Sequence, residues 1–383
     1  MNYWSKIIIV NIFVCFIFWW IFIYNYEKQH ELIPSWDNKL TTLELWDLTV
    51  TENDSSWTGV IIQNDYKSEI EVAFLGDVMI WWRVKDAMYK HGQSYVFSGS
   101  QEFLNKKHAV ILNLETPVTE QIKKINKTYT FKADKKHLEW LKSFNDHLVV
   151  NLANNHIWDF TNSWVIDTLD NLNEYEIPYF WAGKNKLEAD KVFITEVEWV
   201  KIALIGQTCV NPLTFRATET TPWNSWFNKK VLKQEIDSAK TNWADIVVFN
   251  LHCGAEYTNW PNKIQKEFAY FAIDNWVDLV IWHHPHWYQP IEIYKNKMIF
   301  YSLWDYIFDI FRGRRTQEWI IANIKITDKK ITWAEITPSY TQWFWNTVIS
   351  DETKAHFALN ELYEISKKLW DIPSIKDWFI ILE

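Results

Sequence analysis

Asp278-Leu279-Val280-Ile281-Trp282-His283-His284-Pro285-His286 decides the reading of this chain. Residues 279–281 are a short apolar run of the kind that fills a fully buried strand. Three imidazoles follow at once. In an extended segment the His284-x-His286 spacing sets both rings on one face. In α/β folds the groups that carry chemistry collect just beyond the C-terminal ends of the strands, and this stretch has that form.

The same arrangement recurs upstream. Residues 72–75 run into Gly76-Asp77-Val78-Met79, and residues 110–112 into Asn113-Leu114-Glu115. Residues 149–152 run into Asn154-Asn155-His156, and 247–250 into Leu251-His252-Cys253-Gly254-Ala255-Glu256. Each signal is weak alone. An Asp after Gly is more often a turn than a ligand, a lone His is usually structural, and Asn-Asn after a strand commonly caps a helix. In series, the strand ends gather carboxylates, adjacent amides and imidazoles. That donor set suits Zn, Mn or Fe, singly or as a pair bridged by a shared carboxylate.

Between these strands lie stretches of helical pattern at 136–144, 163–173, 230–240 and 263–275. The alternation predicts an α/β domain. Residues 291–294 with 298–302, and 320–326 with 330–337, read as antiparallel hairpins that complete the sheet system. Residues 352–369 read as an amphipathic helix. No internal repeat or low-complexity tract interrupts the chain.

The 383 residues carry a formal charge of −9, and no Lys/Arg-rich run suggests a nucleic-acid partner. Three cysteines do not make a disulfide framework. Cys209 and Cys253 each follow a strand-like run and could be neighbours, but buried free thiols are the usual outcome. Residues 7–24 are uncharged and apolar save Asn11, close to the roughly 20 residues that span a bilayer. Lys6 precedes them, which favours a cytoplasmic N-terminus. No small-residue cleavage site follows, so the expectation is an uncleaved single-pass anchor; a buried core helix is the alternative. The expected organisation is an anchor at 1–25, a polar linker or stalk at 26–68, the main domain at 69–345, and a C-terminal helical extension at 346–383 packing on it.

Tryptophan and glycine have exchanged their usual abundance. The chain holds 27 Trp and 8 Gly, where average usage at about 7% would give roughly 27 Gly. Several Trp sit where glycine makes physical sense. Val197-Glu198-Trp199-Val200 and Lys330-Ile331-Thr332-Trp333 read as hairpin joints that want φ > 0. Trp276 follows a helical stretch at the C′ position, which favours Gly. The scatter at turns argues against a Trp-rich binding surface. It fits a translation in which UGA stands as tryptophan where the organism inserts glycine.

With Gly at the suspect positions the segments become Gly-Asp-Val-Met, Asn-Leu-Glu-Thr-Pro, Ala-Asn-Asn-His-Ile-Gly-Asp-Phe, Leu-His-Cys-Gly-Ala-Glu-Tyr, Asp-Leu-Val-Ile-Gly-His-His-Pro-His and Tyr-Ser-Leu-Gly-Asp-Tyr-Ile-Phe-Asp. In that order and spacing, over roughly residues 70–310, the chain resembles the CapA family of capsule and poly-γ-glutamate synthesis proteins. That family resembles the calcineurin-like metallophosphoesterases, which implies a layered α/β sandwich with a two-metal centre at one edge. The resemblance implies Asp77 on the first metal, Glu115 as the bridge, and Asn155 and His252 on the second. His284 and His286 would supply one ligand to each. His156 would protonate a leaving oxygen or steady a phosphate, Arg83 would meet an anionic substrate, and Glu256 would orient a ligand imidazole. Met79 stands where the phosphoesterase pattern has His, as is usual in CapA proteins. Asp305 stands where Asn is commoner, and Cys253 where an aromatic residue is usual.

These readings imply a membrane-anchored, extracytoplasmic protein of capsule synthesis, export or anchoring. Its expected partners are the membrane, an anionic polymer such as poly-γ-glutamate or a phosphoester substrate, and other capsule-synthesis membrane proteins. If catalytic, it acts by metal-assisted hydrolysis. A generic extracytoplasmic phosphoesterase and a non-catalytic polymer-binding subunit are the alternatives. The codon reading makes its own prediction. The gene should carry UGA at Trp158, Trp181, Trp199, Trp276, Trp282, Trp304, Trp333 and Trp378, with a glycine-charging suppressor tRNA; UGG at most of the eight sinks it.

Overall fold

A strand that is apolar on both faces needs cover on both sides, and β1 (Glu69–Val78) shows how it is supplied. Ile70, Val72 and Phe74 enter one core, and Ala73 and Leu75 the other. The period of two continues in β2 (Ala109–Leu114) and β3 (Leu148–Asn151). Ile111 and Val149 point into the first core, while Val110, Leu112, Leu148 and Val150 point into the second. The computed structural model describes residues 69–122, 127–159, 162–210, 218–224, 227–309, 316–342, 345–369 and 379–381. The expected anchor, the stalk and Trp378 lie outside them. Among the described residues no helix is long and apolar enough to cross a membrane.

The remaining strands are β4 (Tyr179–Phe180), β5 (Ala182–Gly183), β6 (Phe193–Val197), β7 (Val200–Thr208), β8 (Trp223–Asn224), β9 (Ile246–His252), β10 (Leu279–His283), β11 (Ile291–Tyr294), β12 (Lys297–Phe300), β13 (Asp305–Ile307), β14 (Glu318–Thr327), β15 (Lys330–Thr341), β16 (Thr347–Ile349) and β17 (Phe379–Ile381). One sheet has the order β16-β15-β14-β1-β2-β3-β4, with β13 beside β1 and β17 beside β15; the second has the order β11-β12-β10-β9-β7-β6. β1, β2, β3 and β4 run parallel, as do β7, β9, β10 and β12. The hairpins β6–β7, β11–β12 and β14–β15 are antiparallel. Val72, Phe74 and Ile111 of the first sheet share a core with Leu204, Val248 and Val280 of the second. The fold is therefore a mixed α/β sandwich of two sheets.

Helices cover the outer faces. On the first sheet lie Trp82–His91, His137–Lys142 and Asn162–Glu174, burying Val84, Met88, Leu138, Leu141, Val165 and Leu169. On the second lie Lys229–Thr241 and Lys263–Asp274 through Leu232, Ile236, Phe268 and Ala272. Asn228 and Asn262 cap these last two, the latter in a reciprocal box with Gln265. Helix Trp82–His91 was not expected, since it opens on Trp81 with no side-chain cap and no acidic first turn. The segment 346–383 is not purely helical. Helix Glu352–Ser366 packs into the core through Leu359, Leu362 and Ile365, while β16 and β17 extend the first sheet along β15.

The structure corrects three local expectations. In the β6–β7 hairpin the positive φ, 57°, belongs to Glu198 and not to Trp199. In β14–β15 the turn is Asp328-Lys329, both at positive φ, so Trp333 lies within β15, paired with Lys325. Cys209 and Cys253 are not free thiols; they form a disulfide, with Cα atoms 5.2 Å apart.

Trp276 does occupy the C′ position. Its φ is 86°, its N–H donates to Ile273 O (3.1 Å), and Val277 N–H donates to Ala272 O (3.1 Å). That is the Schellman pattern. Trp243 repeats it after helix Lys229–Thr241, with φ 59° and bonds from Trp243 to Lys240 and from Ala244 to Ala239. Trp181 and Trp304 also lie at positive φ, 75° and 71°, but are buried. An L-residue in this region costs about 1–2 kcal/mol. Trp243→Gly should therefore stabilise the protein by about 1 kcal/mol. Trp276→Gly should gain less, because Lys240 Nζ stacks 4.4 Å over the Trp276 ring and that contact is worth about 0.5–1 kcal/mol. Denaturation midpoints at unchanged m-value measure both; a loss of stability at Trp243→Gly would refute the strain argument.

Candidate metal centre

Six strands converge at one edge of the sandwich, and their ends carry the polar residues. Asp77 lies near the end of β1, and Glu115 follows β2. Asn155 and His156 follow β3, His252 ends β9, and His284 and His286 follow β10. β13 adds Asp305, paired in register with Asp77. That pairing depends on Gly76: a Cβ there would sit 1.9 Å from the Trp304 carbonyl oxygen, which accepts from the Asp77 N–H at 2.9 Å.

The residues named from sequence meet closely. Three groups each offer donor atoms within 4.8 Å of one another: Asp77, Glu115 and His252; Glu115, His284 and His286; and Asp77, His286 and Asp305. His252 Nε2 lies 2.7 Å from Asn155 Oδ1 and 3.3 Å from Glu115 Oε1. His156 Nε2 lies 3.9 Å from Glu115 Oε1. The two residues of the His-x-His pair meet by a route the sequence did not suggest. His284 and His286 have φ of 94° and 50°, so the segment is a left-handed turn and not a pleated strand. Strain of this kind collects at functional sites, held by its surroundings. Here the His284 N–H donates to Asp77 Oδ2 (3.3 Å), and His286 Nδ1 lies 2.8 Å from Asp305 Oδ1.

Burial sets the electrostatics. Asp77, Glu115 and His252 have no exposed surface, and His156, His284 and His286 have almost none. Burial, and then the charge of Asp77, pushes the Glu115 carboxyl well up. Burial also opposes the charge on Asp77, but contact with His283, then the nearby His252 and His286, outweighs it and holds that carboxyl far below its ordinary range. Burial pushes His252 well down, His284 to about 3 and His156 to about 4, the last against the pull of Asp159. For His286 burial is outweighed by Asp305, which lifts it to about 9.

Several contributors escaped the sequence reading. Asp159 Oδ2 lies 2.6 Å from His156 Nδ1 and accepts from the Phe131 N–H. Lys127 Nζ donates to Asp159 Oδ1 (2.6 Å) and to Asn155 O (2.9 Å). Phe131 stacks on the His156 ring at 3.8 Å between centroids. Asn113 Nδ2 donates to Asp77 Oδ1 (2.7 Å), and Asn154 Nδ2 to Asn113 Oδ1 (3.2 Å). His283 Nδ1 is 3.1 Å from Asp77 Oδ1. The i to i+3 spacing of His156 and Asp159 was the one readable signal; the Lys127 and Phe131 contacts come from a loop without periodic pattern.

Glu256 is exposed, and Asp305 is the carboxylate that holds a histidine ring, on His286. Arg83 Nη2 pairs with Asp309 Oδ1 at 2.7 Å, and its side chain lies over Trp345. Trp282 and Trp304 lie beside the site. Both are buried, with Trp282 Nε1 donating to Cys253 O (2.6 Å) and Trp304 Nε1 to Asp305 Oδ2 (2.9 Å).

Among the described residues, neither buried Glu115 oxygen has a hydrogen-bond donor, and His284 Nδ1 has no hydrogen-bond partner. A carboxylate left so among imidazoles fits a cation, which would satisfy ligand atoms that no hydrogen bond among the described residues satisfies. The buried His/Asp/Glu clusters are thus compatible with metal binding.

The chain matches the family described as bacterial capsule synthesis protein PGA_cap over residues 71–310. It is 31% identical over 288 residues to the capsule biosynthesis protein CapA of Bacillus anthracis, covering 72% of this chain and 69% of the relative. It is 30% identical over 317 residues to the PGA biosynthesis protein CapA of Bacillus subtilis (strain 168), covering 82% of each. Among solved structures, the NAD nucleotidase NadN of Haemophilus influenzae aligns at a TM-score of 0.41 and 12% identity, over 78% of this chain and 56% of that one. The family match across the strand ends that build the centre, together with these two relatives, shows that the chain belongs to the bacterial capsule synthesis protein family PGA_cap.

Proposed function

We propose that this protein serves the synthesis, export or anchoring of a poly-γ-glutamate capsule or a similar anionic polymer, through a divalent-metal centre. The family match and the names of the two CapA relatives support the capsule role. Glu115 carries the metal part: a fully buried carboxylate, unpartnered on both oxygens, within reach of three imidazoles and Asp77. Asp77, Glu115, Asn155, His252, His284 and His286 would hold the ions, two of them, Mn, Zn or Fe. The apolar run 7–24 would tether the domain to the membrane beside other capsule-synthesis proteins. The Cys209–Cys253 disulfide supports an extracytoplasmic position, since such bonds persist in oxidising compartments.

When bound, such ions polarise the scissile group and lower the pKa of a coordinated water. The chain's own residues then decide the proton's path. Asp159 fixes the His156 ring through Nδ1, leaving Nε2 facing Glu115 and the site. Burial keeps His156 neutral when the site is empty of substrate. An anion arriving beside Nε2 favours its protonated form, and the imidazolium can then give its proton to a leaving oxygen. Phe131 stacked on the ring keeps water from its outer face.

Met79 favours a second reading, a non-catalytic subunit that grips an acidic polymer. Its side chain is fully buried in an apolar cluster with Phe131 and Phe308, where the phosphoesterase pattern supplies an imidazole. Metal content and turnover of a chromogenic phosphodiester separate the readings. Bound metal with turnover that falls by about 100-fold or more in His156→Ala supports hydrolysis; bound metal with no turnover supports the polymer-binding subunit, and no bound metal refutes the centre.

Glu115 yields a test with inverted sign. Its carboxyl binds a proton more tightly in the folded state than in the unfolded one, so the stability that this group contributes to the metal-free protein is lost as pH rises above the ordinary carboxyl range. Glu115→Gln should raise the melting temperature of the metal-free protein at pH 7 and abolish the further rise that added Mn or Zn gives the parent. A lower metal-free melting temperature in the variant would contradict the buried-charge account.

A further inference from the structure

The disulfide lies one residue from a proposed metal ligand, and the local hydrogen bonds show what it constrains. Thr208 of β7 is in register with His252 of β9, which is in register with His283 of β10. The His252 carbonyl accepts from Cys209 N (3.2 Å) and from Thr208 Oγ1 (3.1 Å). The Cys253 N–H donates to His283 O (3.1 Å), and its carbonyl accepts from the Trp282 indole (2.6 Å). Beyond Cys253 the chain turns away through Gly254 at φ 128° into exposed Ala255 and Glu256. His252 is thus the last ladder residue of its strand, at the point where strand ends open most readily. Its ring reaches across to Glu115 and Asn155, on loops that follow strands of the other sheet.

We propose that the Cys209–Cys253 disulfide is a positioning element of the centre: it ties the β7 end to the β9 end, holds His252 in its metal-binding place, and makes cation affinity depend on the oxidation state of this pair. The proposal rests on the metal reading of the site. Metal–ligand distances tolerate only about 0.2 Å, so a strand end free to open places the His252 nitrogen outside that range for part of the time. Reduction by a dithiol breaks the one S–S bond; two electrons and two protons pass to the cysteines, and the reductant leaves as its cyclic disulfide.

The test uses the full chain, in detergent, prepared metal-free. Thiol titration in denaturant should find one free thiol of the three cysteines before reduction and all three after. Zn affinity, read by competition with a chromophoric chelator, should fall about 10–100-fold in Cys209→Ala/Cys253→Ala, where no liberated thiolate can act as a substitute ligand. Anaerobic reduction of the folded parent, with the dithiol removed, provides the same comparison should the variant fail to fold. Amide hydrogen exchange over residues 250–254 in the metal-free state should quicken in both. Three free thiols in the untreated protein overturn the proposal, as does unchanged Zn affinity or unchanged exchange once the bond is gone. A parent that binds no Zn yet shows the quickened exchange leaves the positioning of His252 standing and refutes the metal reading instead.

Discussion

Two carboxylates of like charge, Asp77 and Glu115, are buried without exposed surface where the two sheets meet. Everything around them is arranged to make that tolerable. Burying an isolated carboxylate costs several kcal/mol, so a fold keeps two together only if positive or hydrogen-bonding groups surround them. Asp77 is supplied from within the protein by Asn113, the His284 amide and His283. Glu115 has no hydrogen-bond donor among the described residues. The asymmetry accounts for the opposite directions of their ionisation, one held low and one pushed high.

The sandwich exists to bring those groups to one edge. Parallel strands β1, β2 and β3 of one sheet and β9 and β10 of the other all end there. Asp77 stands beside Asp305 because β1 and β13 pair at that residue, and His252 stands beside His283 because β9 and β10 do.

Much of this was legible in the sequence, because burial and periodicity are local properties. Apolar runs at 72–75, 110–112 and 279–281 gave the strands, and the polar residues directly after them gave the site. What was not legible depended on contacts distant in sequence or on backbone the residue types disguise. Asp159 and Lys127 acquire meaning only when the loop carrying Phe131 folds over His156. The hairpin 320–326 with 330–337 was readable, but its left-handed residues are Asp328 and Lys329, while Trp333, whose segment resembles a glycine-seeking joint, lies within the strand. The helix Trp82–His91 has neither cap nor acidic first turn to announce it. Cys209 and Cys253 look like two isolated buried thiols until register sets their strands side by side.

The bond from the His284 amide to Asp77 spans 207 residues of chain. It follows that no shorter stretch contains both partners, and that the closing of the site is an event of the whole domain. Non-local pairings of this kind form late, since the loop between them must be closed before they are rewarded. A chain still emerging from synthesis holds its imidazoles and carboxylates as separate, solvated groups. Assembly of the His/Asp/Glu cluster therefore coincides with completion of the fold, and any cation it takes is one met where the polypeptide finishes folding.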